Sequence, residues 1–501
     1  MNKQDILNTV EKLYNTYEND EFILSKLTEN IKKLETKLLN QQEQHNSRIE
    51  LKNKMNIEKE LFIHDFLSNY KFYYIQDSNI FIEYDNEHYK QINENNIWSK
   101  IYTEIHKFPN LKQWKHKIRV ELLSIIKKNT VHNVQLIPNT KTIQVALQIM
   151  KSIVVPSKEL SKYVLTLLGD SILKKTNNNT TIIPTTNIDT FLDSIEFQIH
   201  YYMRCYFKDI FKQRYYNHDY DNIRVLQTNE CSNTSFIWSS TLKKFIFDII
   251  FVACHYSKRY KNADNYVENY CDSKIYNTIF FCKYNTKNDI LNKFINNEFD
   301  KDKSLCVYQR DLKYLINNYF DTIGIPKTLF YSDVNDYFDT NFEKNTINEK
   351  GKNEIVYKGI SSKQSNFIQT FMSFFDDTFI INNDNADNMT NFELSEILFI
   401  YNKTITSKNY SLTEKILLSI LNQYYPEIKI IDNNVINISC KIWNKNNDIN
   451  DFIKYFNLEY DDDDHKSILE DNDKLYEYYF KWCEDTNKIF VVSKHYFEEN
   501  I

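Results

Sequence analysis

Glycine is so scarce in this sequence that its absence argues against whole classes of fold. The 501 residues contain only four glycines, at positions 169, 324, 351 and 359. An average chain contains about 7% glycine. Loops that cradle phosphates, of the forms GxxxxGK[ST] and GxGxxG, need glycines a few residues apart. None of the four can supply either pattern, so the sequence argues against a P-loop NTPase and against a Rossmann enzyme, and we expect no cofactor.

Residues 1–67 lack both glycine and proline, and their composition favours helix. Apolar side chains recur there at spacings of three and four through almost five heptads, with one break at Asp20. They are Ile6, Val10, Leu13, Tyr17, Leu24, Leu27, Ile31, Leu34 and Leu38. This spacing predicts a coiled-coil helix whose residues 6–38 bind a protein partner or a second copy of the chain. The alternative is an amphipathic helix that packs on its own domain.

The remaining pattern predicts a mainly α-helical α+β protein. Its expected parts are a small sheet plus helices (68–178), a helical basic-aromatic domain (179–340), a linker (341–362), a winged-helix-like module (363–443) and an acidic linker followed by a helix, a strand and a helix (444–501). The sheet is a three-stranded meander that begins at Lys71, and residues 176–187 form a loop. Ser157 is a predicted helix N-cap, and Gly169 is a predicted helix end.

Arginine is concentrated in one stretch, residues 199–261, which holds four of the seven arginines in the chain. If residues 189–215 form a single helix, then His200, Arg204, Lys208 and Lys212 share one face, with tyrosines around them. Cations interleaved with aromatic rings can hold phosphates and stack bases. The candidate nucleic-acid contacts are His200, Arg204, Tyr206, Lys208, Lys212, Arg214, Tyr215, Arg224, Lys258 and Arg259. The alternative is a core helix with a solvated charged face.

A second basic helix follows Pro109 and carries Trp114. Its candidate phosphate contacts are Lys112, Lys115, Lys117 and Arg119, with a solvated face as the alternative. In the winged-helix-like module, three helices precede a β-hairpin, and the third helix would offer Lys415 to a major groove or to a protein. Because the net charge is −6, any nucleic-acid binding must be local.

Cysteines and carboxylates give little sign of a metal site. The eight cysteines form no CxxC pair, which is typical of reduced thiols in a cytosolic protein. The segment HDYD (218–221) places Asp219 and Asp221 at the spacing used by metal-dependent nucleotidyl transferases, but no third carboxylate is obvious nearby. The longest apolar run, residues 245–254, is about half a membrane span. We therefore expect no metal and no membrane association.

Several segments together resemble an uncharacterised, mimivirus-like family from giant viruses of the nucleocytoplasmic large DNA class. They include FIEYDNEHYKQINENNIW, TKTIQ, SKYVLTLLGDSILKK, FKQRYYNHDYDNIRV, VACHYSKRYKNAD, KILLSILNQYYPEIKI, ISCKIW and VVSKHYFEENI. The YDNEHYKQINENNIW segment is also similar to the region ahead of the helicase in poxvirus-type primase–helicases. No Walker motif is present, so helicase activity is not implied. The resemblance implies a viral protein in the host cytoplasm, within the virus factory or the virion.

Three functions follow as hypotheses. The first is a non-enzymatic nucleic-acid-binding or scaffolding protein, accessory to viral genome replication, that binds DNA or RNA. The second is a protein-interaction scaffold in a viral translation-initiation or transcription complex. The third is a metal-dependent nucleotidyl transferase that uses Asp219 and Asp221.

Overall fold

The computed structural model describes residues 2–133, 137–175, 180–229, 235–302, 305–349, 352–381, 391–405, 412–459 and 472–501. The chain divides into two compact units. The first comprises residues 1–213 and 221–281, and the second comprises residues 214–220 and 282–501. The predicted boundaries at 178/179 and 340/341 therefore lie inside units. Among the described residues, helices dominate and the sheets are small, which confirms the predicted α+β class.

The first unit is mostly helical. In chain order it contains α1 (Lys3–Thr16), α2 (Glu21–Asn69), β1 (Lys71–Ile75), β2 (Ile80–Tyr84), β3 (Tyr89–Ile92), α3 (Glu94–Ile105), a 3₁₀ helix (Pro109–Trp114), α4 (Lys115–Lys128), α5 (Thr140–Ile153), α6 (Lys158–Ile172), β4 (Thr181–Pro184), α7 (Asp189–Met203), β5 (Ile223–Leu226), α8 (Ser235–Tyr260), α9 (Ala263–Tyr270) and α10 (Ser273–Ile279). One apolar core extends from Ile75 to Phe280, so residues on both sides of position 178 pack together. A second, smaller core joins α2, α3 and α4.

The predicted meander is present, with β2 antiparallel to both β1 and β3. The N-terminal region is helical as predicted, but it consists of two helices rather than one. The break in the heptads at Asp20 is a helix start, because the Asp20 carboxylate accepts the N–H of Ile23 at 3.1 Å. Residues that match heptad positions on α1 and α2 therefore belong to separate helices.

Gly169 lies inside α6 and does not end it, contrary to the prediction. A Cβ atom at this position would lie 2.1 Å from the carbonyl oxygen of Ala253 on α8, much closer than side chains approach a backbone. The glycine is thus explained by the close approach of two helices. The predicted N-cap is confirmed, since the Ser157 hydroxyl accepts the N–H of Leu160 at 3.1 Å.

Part of the segment predicted as a loop, residues 176–187, forms a strand. Thr181–Pro184 (β4) pairs in parallel with Ile223–Leu226 (β5), and both strands are buried along their whole length. Helix α7 connects them, which makes a βαβ unit. Four-residue strands buried on both faces show no alternation of polar and apolar residues, and this is why the pattern did not indicate them.

The second unit contains α11 (Lys287–Glu298), β6 (Phe299–Asp300), β7 (Cys306–Tyr308), α12 (Gln309–Ile323), α13 (Tyr331–Asn341), β8 (Glu343–Glu349), β9 (Lys352–Lys358), β10 (Ser361–Ser362), α14 (Ser365–Thr378), β11 (Phe379–Ile381), β12 (Phe392–Glu393), α15 (Leu394–Thr404), α16 (Glu414–Tyr424), β13 (Lys429–Ile431), β14 (Asn434–Ile436), β15 (Ile438–Cys440), α17 (Lys445–Glu459), α18 (Asn472–Asp485) and α19 (Lys494–Glu499). Strands β8 and β9 form a hairpin that joins β7 in a three-stranded sheet. The predicted linker at 341–362 is therefore wrong.

The predicted winged-helix-like module has the expected order of elements. Helix α14 is followed by α15, α16 and the hairpin β13–β14. The short strand β12, just before α15, pairs with β14, so that the sheet order is β12-β14-β13. A strand between the first and second helices that joins the wing hairpin is the connectivity of a winged helix-turn-helix.

The C-terminal prediction is partly corrected. Residues predicted as the beginning of an acidic linker form α17, and most of the acidic block (459–473) lies outside the described residues. The segment 488–492, predicted as a strand, pairs with no strand among the described residues. Tyrosine hydroxyls satisfy the backbone of Val492, which donates its N–H to Tyr479 at 3.1 Å and accepts from Tyr476 at 3.0 Å.

Within the described ranges, no helix is long and apolar enough to cross a bilayer.

Candidate nucleic-acid interface

Two helices of the first unit, α3 and α4, pack through matching apolar stripes. Ile97, Ile101 and Ile105 on α3 and Ile118, Leu122 and Ile126 on α4 are almost completely buried, each set at intervals of four residues. The residues that follow those of α3 by one position are Trp98, Tyr102 and His106. Because a helix turns about 100° per residue, these three rings form a second stripe beside the buried one.

Cations of α4 lie against rings of α3 and of the 3₁₀ helix. The guanidinium of Arg119 lies 4.8 Å from the Trp98 ring centroid, and the Lys115 ammonium lies 5.6 Å from that of Tyr102. The Lys117 ammonium lies 4.5 Å from the ring of Trp114. The His116 ring stacks on Trp98 at 6.0 Å with an interplanar angle of 26°. We use the name α3–α4 face for the following aromatic and basic residues of the segment from α3 to the end of α4: Trp98, Tyr102, His106, Lys112, Trp114, Lys115, His116, Lys117, Arg119, Lys127 and Lys128.

The charge of the α3–α4 face remains positive after its ion pairs are counted. Arg119 donates to Glu94 at 2.7 Å, and both oxygens of Glu121 accept from Lys59, at 2.8 and 3.0 Å. Within the described ranges, five lysines of the face have no carboxylate within ion-pair distance, namely Lys112, Lys115, Lys117, Lys127 and Lys128. The face therefore combines unneutralised ammonium groups with accessible rings, of which Tyr102 is 42% exposed.

Of the predicted contacts in this segment, Lys112 lies on the 3₁₀ helix, and Lys115, Lys117 and Arg119 lie on α4, where Arg119 is engaged by Glu94. Sequence reasoning missed the aromatic partners on α3. Their signal was present, since Trp98, Tyr102 and His106 repeat every four residues directly beside three isoleucines with the same repeat. An apolar stripe with an adjacent aromatic stripe indicates a helix with one buried and one half-exposed face.

The other predicted surface, residues 199–261, is not assembled as expected. Helix α7 ends at Met203, and Arg204 has a left-handed backbone with φ 48°. The Glu196 carboxylate then accepts the N–H groups of Phe207 and Lys208, at 2.8 and 3.0 Å, which fixes a turn. His200, Arg204, Lys208 and Lys212 therefore do not share a helix face, and that prediction is wrong.

Two members of this set have local roles in the first unit. The Lys208 ammonium donates to Asp193 at 2.5 Å, and this hydrogen bond raises the pKa of Lys208. The His200 ring packs on Tyr206 with ring centroids 4.5 Å apart, and its buried Nδ1 has no hydrogen-bond partner in the described part of the chain. Arg204, Tyr206, Lys212 and Arg259 are exposed.

Arg224 and Lys258 make hydrogen bonds to other groups of the protein. Arg224 is 5% exposed, and it donates to the Asp264 carboxylate at 2.8 Å and to the carbonyls of Asp221 and Ile223. The Lys258 ammonium donates to the carbonyls of Val131 and His132 at 2.7 and 3.0 Å, and burial lowers its pKa. Arg224 is buried too deeply to reach a phosphate, and the ammonium of Lys258 is already hydrogen-bonded to backbone carbonyls.

Arg214 and Tyr215 belong to the second unit. Arg214 is exposed, but Tyr215 is buried against Phe330, with ring centroids 5.1 Å apart, and under the Lys287 ammonium. A buried ring is not available to stack on a base, so the predicted role of Tyr215 is replaced by a packing role.

The third helix of the winged-helix-like module, α16, packs against α12. Tyr424 donates its hydroxyl to Asp311 at 2.8 Å, and Gln423 donates to the carbonyl of Arg310 at 3.4 Å. Lys415 is exposed, 3.8 Å from Asp321. The C-terminal end of α16 is therefore partly covered within its own unit.

Asp219 and Asp221 flank Tyr220, whose hydroxyl donates to the Thr328 carbonyl at 2.7 Å. Nowhere in the described ranges are three or more His, Cys, Asp or Glu side chains grouped so that they could hold a metal ion.

No protein-family model, curated protein or solved structure matches this chain.

Proposed function

We propose that this protein binds single-stranded nucleic acid through the α3–α4 face, as a non-enzymatic accessory factor. The observation that carries the proposal is the set of lysines without carboxylate partners beside accessible aromatic rings. Following the sequence resemblance, we place this activity in a giant virus that replicates in the host cytoplasm.

The chemistry of the face favours single strands over duplexes. Ammonium groups can follow a phosphate backbone, and exposed rings can stack on unpaired bases. The net charge of −6 repels nucleic acid from the rest of the surface, so binding concentrates where the lysines lie.

Fluorescence anisotropy with labelled single-stranded RNA, single-stranded DNA and duplex DNA, over a series of salt concentrations, tests the proposal. Replacing Lys112, Lys115 and Lys117 together with alanine should weaken binding and lower the salt slope by about two to three ions. The matched control replaces three exposed lysines of the second unit, Lys403, Lys454 and Lys481, with the same change in net charge. Equal losses in both triple variants, or no binding at about 50 mM salt, would overturn the proposal.

The stacking component is tested separately with Tyr102→Ala. We expect a loss of roughly 1–3 kcal/mol on single strands and little change on duplexes. Tyr284→Ala is the control, because Tyr284 is also exposed and also has a lysine ammonium, that of Lys283, 5.6 Å from its ring. A duplex loss as large as the single-strand loss would mean that Tyr102 does not stack on bases.

A second function, scaffolding in a viral translation-initiation or transcription complex, is favoured by a different observation. The apolar residues at heptad positions on α1 and α2 are largely exposed. Recovery of protein partners from infected cells after nuclease treatment would support this function, and loss of all partners under nuclease would oppose it.

A further inference from the structure

The heptad residues of the N-terminal helices lie on the surface. Ile31, Leu34 and Leu38 on α2 are 43%, 51% and 54% exposed, and Ile6, Val10 and Leu13 on α1 are also exposed. We call these residues, together with Tyr17, Leu24 and Leu27, the heptad stripe. Single exposed apolar residues are common, but a regular row of them along two helices indicates a surface that another molecule covers.

The described part of the chain leaves most of the heptad stripe uncovered, with Leu24 and Leu27 half-buried. On α2 the first buried residue is Lys59, followed by Phe62, Ile63 and Phe66, which pack on α3 and α4. Helix α1 has no buried residue. Most of the stripe is therefore exposed within the segment 6–38, whereas the C-terminal end of α2 packs on α3 and α4.

The geometry and the charges of this segment together select a partner. Alternating spacings of three and four suit a helix with the same repeat, because only such a helix stays in register along a left-handed supercoil. Residues 6–38 carry five lysines and six carboxylates. On α2 they are interspersed, with Glu29 between Lys26 and Lys33 and 3.1 and 2.5 Å from their ammonium groups. A strongly acidic or basic partner would gain little from so balanced a surface, whereas two identical copies meet without net repulsion.

We infer that residues 6–38 bind the same segment of a second copy of this chain, so that the protein is a dimer held by the heptad stripe. Each stripe is interrupted at the connection between Tyr17 and Asp20, so both helices of each copy contribute. Contacts between the same segments of two copies are self-complementary, and a two-fold axis closes them into a dimer. This inference is independent of nucleic-acid binding.

Sedimentation velocity and light scattering of the full chain test the inference. The wild-type protein should be a dimer at micromolar concentration, and the variant Leu34→Glu/Leu38→Glu should be a monomer. The control is Thr36→Glu/Asn40→Glu, which adds the same charge at exposed positions off the stripe and should remain dimeric. Far-UV circular dichroism should be similar for both variants, because glutamate is a good helix former.

A monomeric wild-type protein would overturn the inference and leave the stripe to a different partner. A wild-type dimer that survives in the Leu34→Glu/Leu38→Glu variant would also overturn it, since the chains would then associate elsewhere. Loss of the dimer in both variants would show that added charge, rather than the stripe, controls association.

Discussion

At the scale of single residues, the interior of the first unit holds an unusually situated carboxylate, Asp170. It is 3% exposed, and it accepts the hydroxyl of Ser257 at 2.5 Å and the N–H of Ala263 at 2.7 Å. Loss of hydration on burial raises its pKa from 3.8 to about 6, despite these hydrogen bonds and the nearby Lys175. The folded protein therefore holds a proton on Asp170 at pH values where the unfolded chain has lost it.

This raised pKa gives a prediction for stability against pH. The contribution from Asp170 is fully present below pH 3.8 and is lost as the pH rises through about 6. Asparagine stays neutral, so Asp170→Asn should remove this contribution. The free energy of unfolding of wild type relative to the variant should fall by roughly 3 kcal/mol between pH 3.5 and pH 7. Urea unfolding of both proteins across this range measures it, and parallel pH profiles would contradict the assignment.

The arginines of residues 199–261 show to what extent a binding site can be predicted from the sequence. Their concentration in this stretch suggested phosphate contacts, but Arg224 is used for a buried ion pair with Asp264, and its guanidinium lies 5.0 Å from the Phe280 ring. The same planar, multi-donor chemistry suits a phosphate and a buried carboxylate, so residue type does not separate the two. Which of the two an arginine binds depends on its neighbours in the fold. For Arg224 that neighbour is Asp264, which is 40 positions away in the sequence.

At the scale of elements, helices α6 and α8 approach each other closely at Gly169. Gly169 meets the backbone of Ala253, and a Cβ atom there would also lie 2.8 Å from the Cβ of Ser257. Ser257 in turn donates to Asp170. Helix packing and the buried hydrogen bonds of this region therefore depend on one small residue.

Gly169→Ala should destabilise the protein although alanine is the better helix former. The helices would have to separate, at a cost of roughly 2–3 kcal/mol or more in the free energy of unfolding. Gly324→Ala is a control of a different kind: it strains a left-handed residue, φ 66°, in open space, at about 1–2 kcal/mol. Thermal and urea unfolding would measure both, and a Gly169→Ala protein as stable as wild type would refute the close contact.

Elements with a repeat inside their own segment were predictable, and elements without one were not. The N-terminal helices, the meander and the three helices with a hairpin all follow from repeats within their own segments. The strand β4 and the hairpin β8–β9 do not, because their pairing is with distant or polar segments that carry no period of their own. The α3–α4 face lies between these cases. The repeat of each helix is visible within its own segment, but the contact between the two helices is not.

At the scale of the whole molecule, the protein has a negative net charge, a local basic face and an N-terminal stripe. A dimer would present two α3–α4 faces to one strand. Linked sites raise the apparent affinity for a ligand long enough to reach both, with no new contact.

If both proposals hold, the dimer-breaking variant Leu34→Glu/Leu38→Glu should bind long and short strands differently from wild type. Affinity for an oligonucleotide of about ten nucleotides should be unchanged, because one OB-fold-sized site occupies roughly 4–16 nucleotides. Affinity for a strand several times longer should fall on the order of 100-fold. Anisotropy titrations at one salt concentration measure both affinities. Equal affinities of the variant and the wild type for the long strand would show that dimer formation does not contribute to binding.

Helix α2 also fixes the rotational orientation of the heptad stripe relative to the body of the first unit. Leu38 and Phe66 lie four heptads apart on one continuous helix, with the stripe at one end and the packed aromatic residues at the other. The distance between them is about 40 Å, at a rise of about 1.5 Å per residue. Each residue added between them would lengthen this spacer only slightly, but it would rotate the stripe by about 100° around the helix axis relative to the body of the first unit. The polar middle of α2 can therefore vary freely in side chain, but not in length.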